Sequence, residues 1–172
     1  MLKAFYQQLR HMANNTEDRF HEHVQQRVGE GATPELEKDL KEAILMMPNI
    51  TSSISVLWGH LPADSKIKAL GSYFMRYMFS AKDFIPEDEA HGLFGYIDDA
   101  YFALVVYELL VEELIRVKAP LSKEDLSLKD KASRHSAQIK SVIAPEASEI
   151  QQIIGEVLDG EEKTFVELLG DK

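Results

Sequence analysis

Apolar residues recur at intervals of three and four along most of the chain, the spacing of helices that bury one face. Residues 2–28 carry Leu2, Phe5, Tyr6, Leu9, Met12 and Ala13 on one stripe, which Phe20, Val24 and Val28 continue. Asn14-Asn15-Thr16 predicts a break there, because such side chains compete for backbone hydrogen bonds and favour helix ends. Thr33 and Pro34 suit the N-cap and first helical position of the next element, with Leu36, Leu40, Ala43, Ile44 and Met47 facing inward. Pro48 is expected to end it, and Asn49 to cap a short helix bearing Ile50, Ile54 and Leu57. Pro62 then opens a helix with Ile67, Leu70, Phe74, Tyr77 and Met78 on its inner side.

From Tyr96 to Val117 the pattern changes, since apolar residues cover most of the circumference. A helix of that kind is buried by neighbours on several sides. Its 22 residues, at about 1.5 Å each, make a rod of roughly 33 Å. Pro120 ends it, and Ser122-x-x-Asp125 reads as a capping box. Residues 126–143 are more polar, anchored by Leu126, Leu128, Ile139, Val142 and Ile143, and are expected at the periphery. Pro145 starts a helix bearing Ile150, Ile153, Ile154, Val157 and Leu158, and Phe165, Val166, Leu168 and Leu169 add a last amphipathic turn. No strand pattern and no repeat emerges. The expected fold is all-α: one helical bundle of about six to seven helices around a central helix at about 96–117, with peripheral helices over 120–172.

Composition narrows the function classes. At 172 residues and 45% apolar, the chain is long enough to bury a core without staples. The absence of cysteine removes disulfides, thiolate metal sites and cysteine nucleophiles together, and fits a reducing cytoplasm. The N-terminal residues lack a signal-peptide pattern, and the longest apolar run, Ala100 to Tyr107, is far short of a membrane span of roughly 20 residues. A soluble, cytoplasmic protein is expected. The net charge of −10 divides as −2, −5 and −3 over residues 1–60, 61–117 and 118–172. With no basic third, a nucleic-acid surface and anionic-lipid binding are disfavoured, whereas a basic partner or a divalent cation is easier to recruit.

Candidate chemistry concentrates between Phe79 and Leu104, where six carboxylates and one histidine join two apolar segments. Ser80, Asp83, Phe84, Ile85 and Pro86, followed by Gly95, Tyr96, Ile97, Asp98 and Asp99, form a pair of short motifs. This pair resembles the core of the YkvA-like family, a domain of unknown function that reads helix, S-P-x-D-L-I-P, turn, G-Y-L-D-D, helix. The resemblance covers about residues 61–111 and implies a helical fold but no established activity. Ala81 replaces the usual proline, the turn is longer, and Glu87-Asp88-Glu89 takes the place of an apolar segment. The glutamates on the flanking helices argue against the membrane association of some relatives.

Two readings of this joint follow. In the structural one, Ser80 and Asp83 organise turns, Phe84 and Ile85 are buried, Gly92 and Gly95 supply backbone freedom, and Asp98 and Asp99 favour the positive end of a helix. In the functional one, Asp83, Asp98 and Asp99 converge with Glu87 or His91 on Mg²⁺, Ca²⁺ or Mn²⁺, which take oxygen ligands. Successive helical positions diverge by about 100°, so one of Asp98 and Asp99 is expected to face the joint and the other solvent or a different helix.

Other constellations are weaker. His21 and His23 point to nearly opposite sides of a helix, and His23 reads as a surface residue. Glu108, Glu112 and Glu113 lack the Glu-x-x-His partners of a di-iron bundle and read as a solvated stripe, with Glu112 and Arg116 able to pair at i,i+4. Phosphate loops and a nucleophile elbow are absent from the sequence. No cofactor is expected beyond a divalent ion at the joint. The leading expectation is a non-enzymatic adaptor or regulator that meets a protein partner or forms a homodimer. A metal-dependent enzyme or sensor is the alternative, and an acidic mimic of nucleic acid the third.

Overall fold

The computed structural model describes residues 2–15, 18–78, 84–88 and 90–160. Seven α-helices fill them: α1 (Leu2–Ala13), α2 (Phe20–Val28), α3 (Pro34–Leu57), α4 (Lys66–Tyr77), α5 (Ile97–Arg116), α6 (Lys123–Val142) and α7 (Ala144–Asp159). No strand occurs among the described residues. The expected all-α bundle around a central helix is observed, and α5 is its axis, packed against α3, α4, α6 and α7. Thirteen of its 20 residues are buried, from Ile97 to Leu114.

Several ends fall where local chemistry placed them. Thr33 caps α3, accepting a hydrogen bond from the Leu36 amide at 3.2 Å, with Pro34 in the first turn. Ser122 and Asp125 complete the capping box of α6 through reciprocal bonds of 3.0 and 2.8 Å. Gly160 closes α7 in the left-handed conformation that favours glycine. The break after Ala13 is also present, since Asn14 and Asn15 leave the helix.

Two proline readings are corrected. Pro48 does not end its helix; α3 runs on for 24 residues with Pro48 buried inside it. An interior proline costs roughly 3 kcal/mol of helix propensity. Here the inward face continues across it through Ile44, Met47, Ile50 and Ile54, all fully or almost fully buried. Packing of that face outweighs the local penalty. Pro62 does not open α4 directly, because the chain turns first, with the Ser65 amide bonded to the Pro62 carbonyl at 3.2 Å. The helix begins at Lys66.

The surface stripe of α5 also pairs differently from expectation. Arg116 forms a two-pronged bond with Glu113 at 2.6 and 2.7 Å, while Glu112 meets Lys129 of α6 at 3.1 Å. Expected at the edge, α6 lies along both α5 and α3 and buries Ala132, His135, Ser136 and Ile139. Phe165, Val166, Leu168 and Leu169 lie outside the described residues.

Candidate functional site

The joint enters α5 through a short 3₁₀ turn, Gly92–Tyr96. Its two motif halves meet at two points. Asp98 in the first turn of α5 is fully buried, and its Oδ2 accepts from the Tyr77 hydroxyl at 3.0 Å and from the Ile85 amide at 3.2 Å. Gly95 lies directly beneath the preceding segment, so that a Cβ there would sit 2.6 Å from the Pro86 carbonyl oxygen. Glycine is required by this close approach, not by turn conformation. Asp98 therefore ties α4, the 84–86 segment and α5 together, at the helix end where the dipole favours a carboxylate.

Asp99 is also buried, at 3% exposure. Of the two surroundings expected for the second carboxylate, solvent is thus ruled out; α5 is enclosed on both sides at its start. Glu87 is exposed, and Asp83 lies outside the described residues. His91 turns to Asp88, its Nδ1 donating to Oδ1 at 2.7 Å. The same oxygen accepts from the amides of Ala90 and His91, both at 3.0 Å. The His91 contact, with these amides, holds the Asp88 carboxyl below its ordinary range. Among the described residues, no group of three or more histidine and carboxylate side chains is arranged to hold a metal ion.

Two residues of the joint were not apparent from the sequence. Asp18 precedes α2, and its Oδ1 accepts from the Phe20 amide at 2.8 Å, an arrangement an aspartate two residues before a helix can suggest. Its Oδ2 reaches across to the Leu93 amide at 3.0 Å. A Cβ at Gly92, where φ is +54°, would meet that oxygen at 2.6 Å. His23 is the other. Its ring stacks between His91 and Phe94, with centroids 5.3 and 5.2 Å away, and its Nε2 donates to the Ala90 carbonyl at 2.9 Å. The surface reading of His23 gives way to a half-buried residue packed on the joint. Spacing along α2 could not show this, because the partners lie about 70 residues onward.

Elsewhere, polar groups on the core helices also find partners inside the fold. Glu108 accepts from Ser133 and Ser136 of α6, each at 2.7 Å. His135 is fully buried; its Nδ1 lies 3.1 Å from Gln138, which donates to Asp39 of α3 at 2.6 Å. Burial raises the Tyr101 and Tyr107 hydroxyls above their ordinary values.

A different surface stays open. A cleft of about 640 Å³ separates α1 from the first half of α3, with Tyr6, Ala13, Leu45 and Met46 among its lining. Tyr6 is 39% exposed, high for a large aromatic side chain. No family model, no curated protein and no solved structure matches the chain.

Proposed function

We propose that this chain is a helical adaptor or regulatory module that works through protein–protein contact. The observation carrying the proposal is the open cleft between α1 and α3, lined by exposed Tyr6 and by half-buried Ala13, Leu45 and Met46. The joint supports the same reading. Asp98 Oδ2 and Asp88 Oδ1 accept from hydroxyl, amide and imidazole donors of the chain itself, which is what an architectural joint requires. Membership of the YkvA-like family belongs to this proposal too. The Ile85–Asp98 bond and the approach of Pro86 to Gly95 would give the two halves of its motif one shared purpose.

The test is reciprocal recapture. A tagged chain is expressed in its native cells, and each copurifying protein is tagged in turn and asked to recover the chain. A saturable complex recovered in both directions is expected. No reciprocal partner, together with a monomer in sedimentation, removes the reading. Calorimetric titration with Mg²⁺, Mn²⁺ and Ca²⁺ addresses the metal alternative, and no binding heat is expected. A saturable site abolished by Asp98→Asn with Asp99→Asn would replace the adaptor with a metal-dependent protein.

A further inference from the structure

Fully buried His135 puts both of its ring nitrogens into the contact between α6 and α3. Its neighbours decide which of them carries the hydrogen. Gln138 donates its amide nitrogen to Oδ2 of Asp39 at 2.6 Å, since a carboxylate only accepts. The amide oxygen is thereby turned back onto Nδ1 of His135, 3.1 Å away. An oxygen there needs a donor, so Nδ1 bears the hydrogen. On the other side, the Arg134 guanidinium lies 3.4 Å from Nε2. A guanidinium only donates, so Nε2 offers its lone pair. Two independent neighbours thus select one neutral tautomer.

That choice leaves Nε2 between a donor and an acceptor. Glu42 of α3 holds Oε1 3.9 Å from the same nitrogen, beyond hydrogen-bond reach. No hydrogen lies between these two atoms in the neutral form. A proton added at Nε2 reverses both relations: it repels the guanidinium and supplies the donor that Glu42 lacks. Arg134 is exposed and free to turn outward, and the partly exposed Glu42 needs to move only about 1 Å to make the bond. A buried imidazolium is costly unless it is paired. Here it would have Glu42 on one side and the Gln138–Asp39 pair on the other.

Charged groups on the elements around α6 are engaged elsewhere. Glu108 of α5 accepts from Ser133 and Ser136, and Glu112 pairs with Lys129. Arg27 of α2 and Glu146 of α7 hold each other at 2.7 Å, and His21 of α2 meets Glu37 of α3 at 2.6 Å. Lys41 of α3 rests its ammonium over the Phe20 ring. Glu42 is the carboxylate placed to answer a proton at Nε2, and it also lines the α1–α3 cleft.

We propose that His135 is a proton-operated switch for the wall of that cleft. On acidification Nε2 exchanges Arg134 for Glu42 and draws this carboxylate inward. The cleft lining, in which Lys38 and Lys41 face Glu37 and Glu42, then loses one of its two negative charges to the interior. The device belongs to the bundle itself and stands whatever the cleft binds.

The test is nitrogen- and carboxyl-detected NMR of the full chain between about pH 8 and about pH 5, the range in which imidazoles change charge. At the alkaline end His135 is expected as the Nδ1–H tautomer. On acidification Nε2 should gain a hydrogen, and the Glu42 carboxyl signal should move in the same step. Glu42→Gln should weaken proton uptake by the ring about fivefold, the upper end for a partly exposed ion pair. Glu35→Gln, an equal charge change at an exposed position of α3, should leave it unmoved. An Nε2–H tautomer at the alkaline end would overturn the proposal. So would a Glu42 signal that stays still while the ring titrates, equal effects of the two substitutions, or a ring that gains its proton only as the helical circular dichroism is lost.

Discussion

Replacing Asp98 by alanine would leave the Tyr77 hydroxyl and the Ile85 amide without their shared buried acceptor. Two stranded donors should cost about 3 kcal/mol, measurable as a fall in urea-unfolding free energy. Asp98→Asn keeps an acceptor oxygen and should cost less; equal losses would mean that the charge at the helix start matters more than the two bonds. Asp88 supplies a pH prediction of known sign. Its folded value is depressed chiefly by the hydrogen bond from His91. Its contribution is therefore complete above the unfolded aspartate value of about 3.8 and is lost as pH falls through the lower folded value. A carboxyl-detected NMR titration should place Asp88 below 3.8, and His91→Ala should move it upward. An unmoved titration in that variant would assign the effect to the backbone amides. That these residue types organise a turn was legible in the sequence. Which donors they take was not, because Tyr77, Ile85 and Asp98 are brought together by chain segments that lie apart in sequence.

Helix starts were more legible than helix ends. Thr33-Pro34 and Ser122-x-x-Asp125 act through bonds that span three residues, so their signal is complete within the local sequence. Pro48 illustrates the opposite case, where a local breaker sits in a face that the core needs whole. Restoring the amide with Pro48→Ala gains roughly 3 kcal/mol of helix propensity. Losing two buried ring methylenes costs roughly 1.6 kcal/mol. A net stabilisation of about 1 kcal/mol is expected in urea unfolding; a loss would show that the proline ring, or a bend it imposes, is required by the packing. The polar face of α6 shows a related limit. Its few apolar anchors suggested the edge of the molecule, yet Ser133 and Ser136 bond to Glu108 of α5 and extend its contact with the axis.

For the whole molecule, one core runs from Leu9 of α1 to Val157 of α7. Such continuity predicts a single cooperative unfolding transition. Trp58, the only tryptophan, is a suitable reporter, because its ring lies 3.4 Å from where a Cβ on Gly71 of α4 would be. Its fluorescence and far-UV circular dichroism should give coincident urea curves. Separated midpoints would mean that α4 and the end of α3 form an independently unfolding unit. At this scale charge also divides into two levels. The total of −10 favours a basic partner at long range, whereas the lining of the α1–α3 cleft sets Lys38 and Lys41 beside Glu37 and Glu42 and is locally balanced. Long-range attraction and local complementarity need not select the same surface.

The amino-acid sequence by itself determined the helical class, the central apolar helix, and the capped starts of α3 and α6. These follow from periodicity and from hydrogen bonds over three or four residues, which composition and order encode directly. Tertiary structure alone decided that Pro48 stays inside a helix, that His23 joins His91 and Phe94, and that Asp98 bridges Tyr77 to Ile85. It also decided that Tyr6 and Ala13 of α1 and Leu45 and Met46 of α3 line one cleft. Each of these depends on segments far apart in sequence being packed together, and a burial energy shared by many residues can outweigh any local preference.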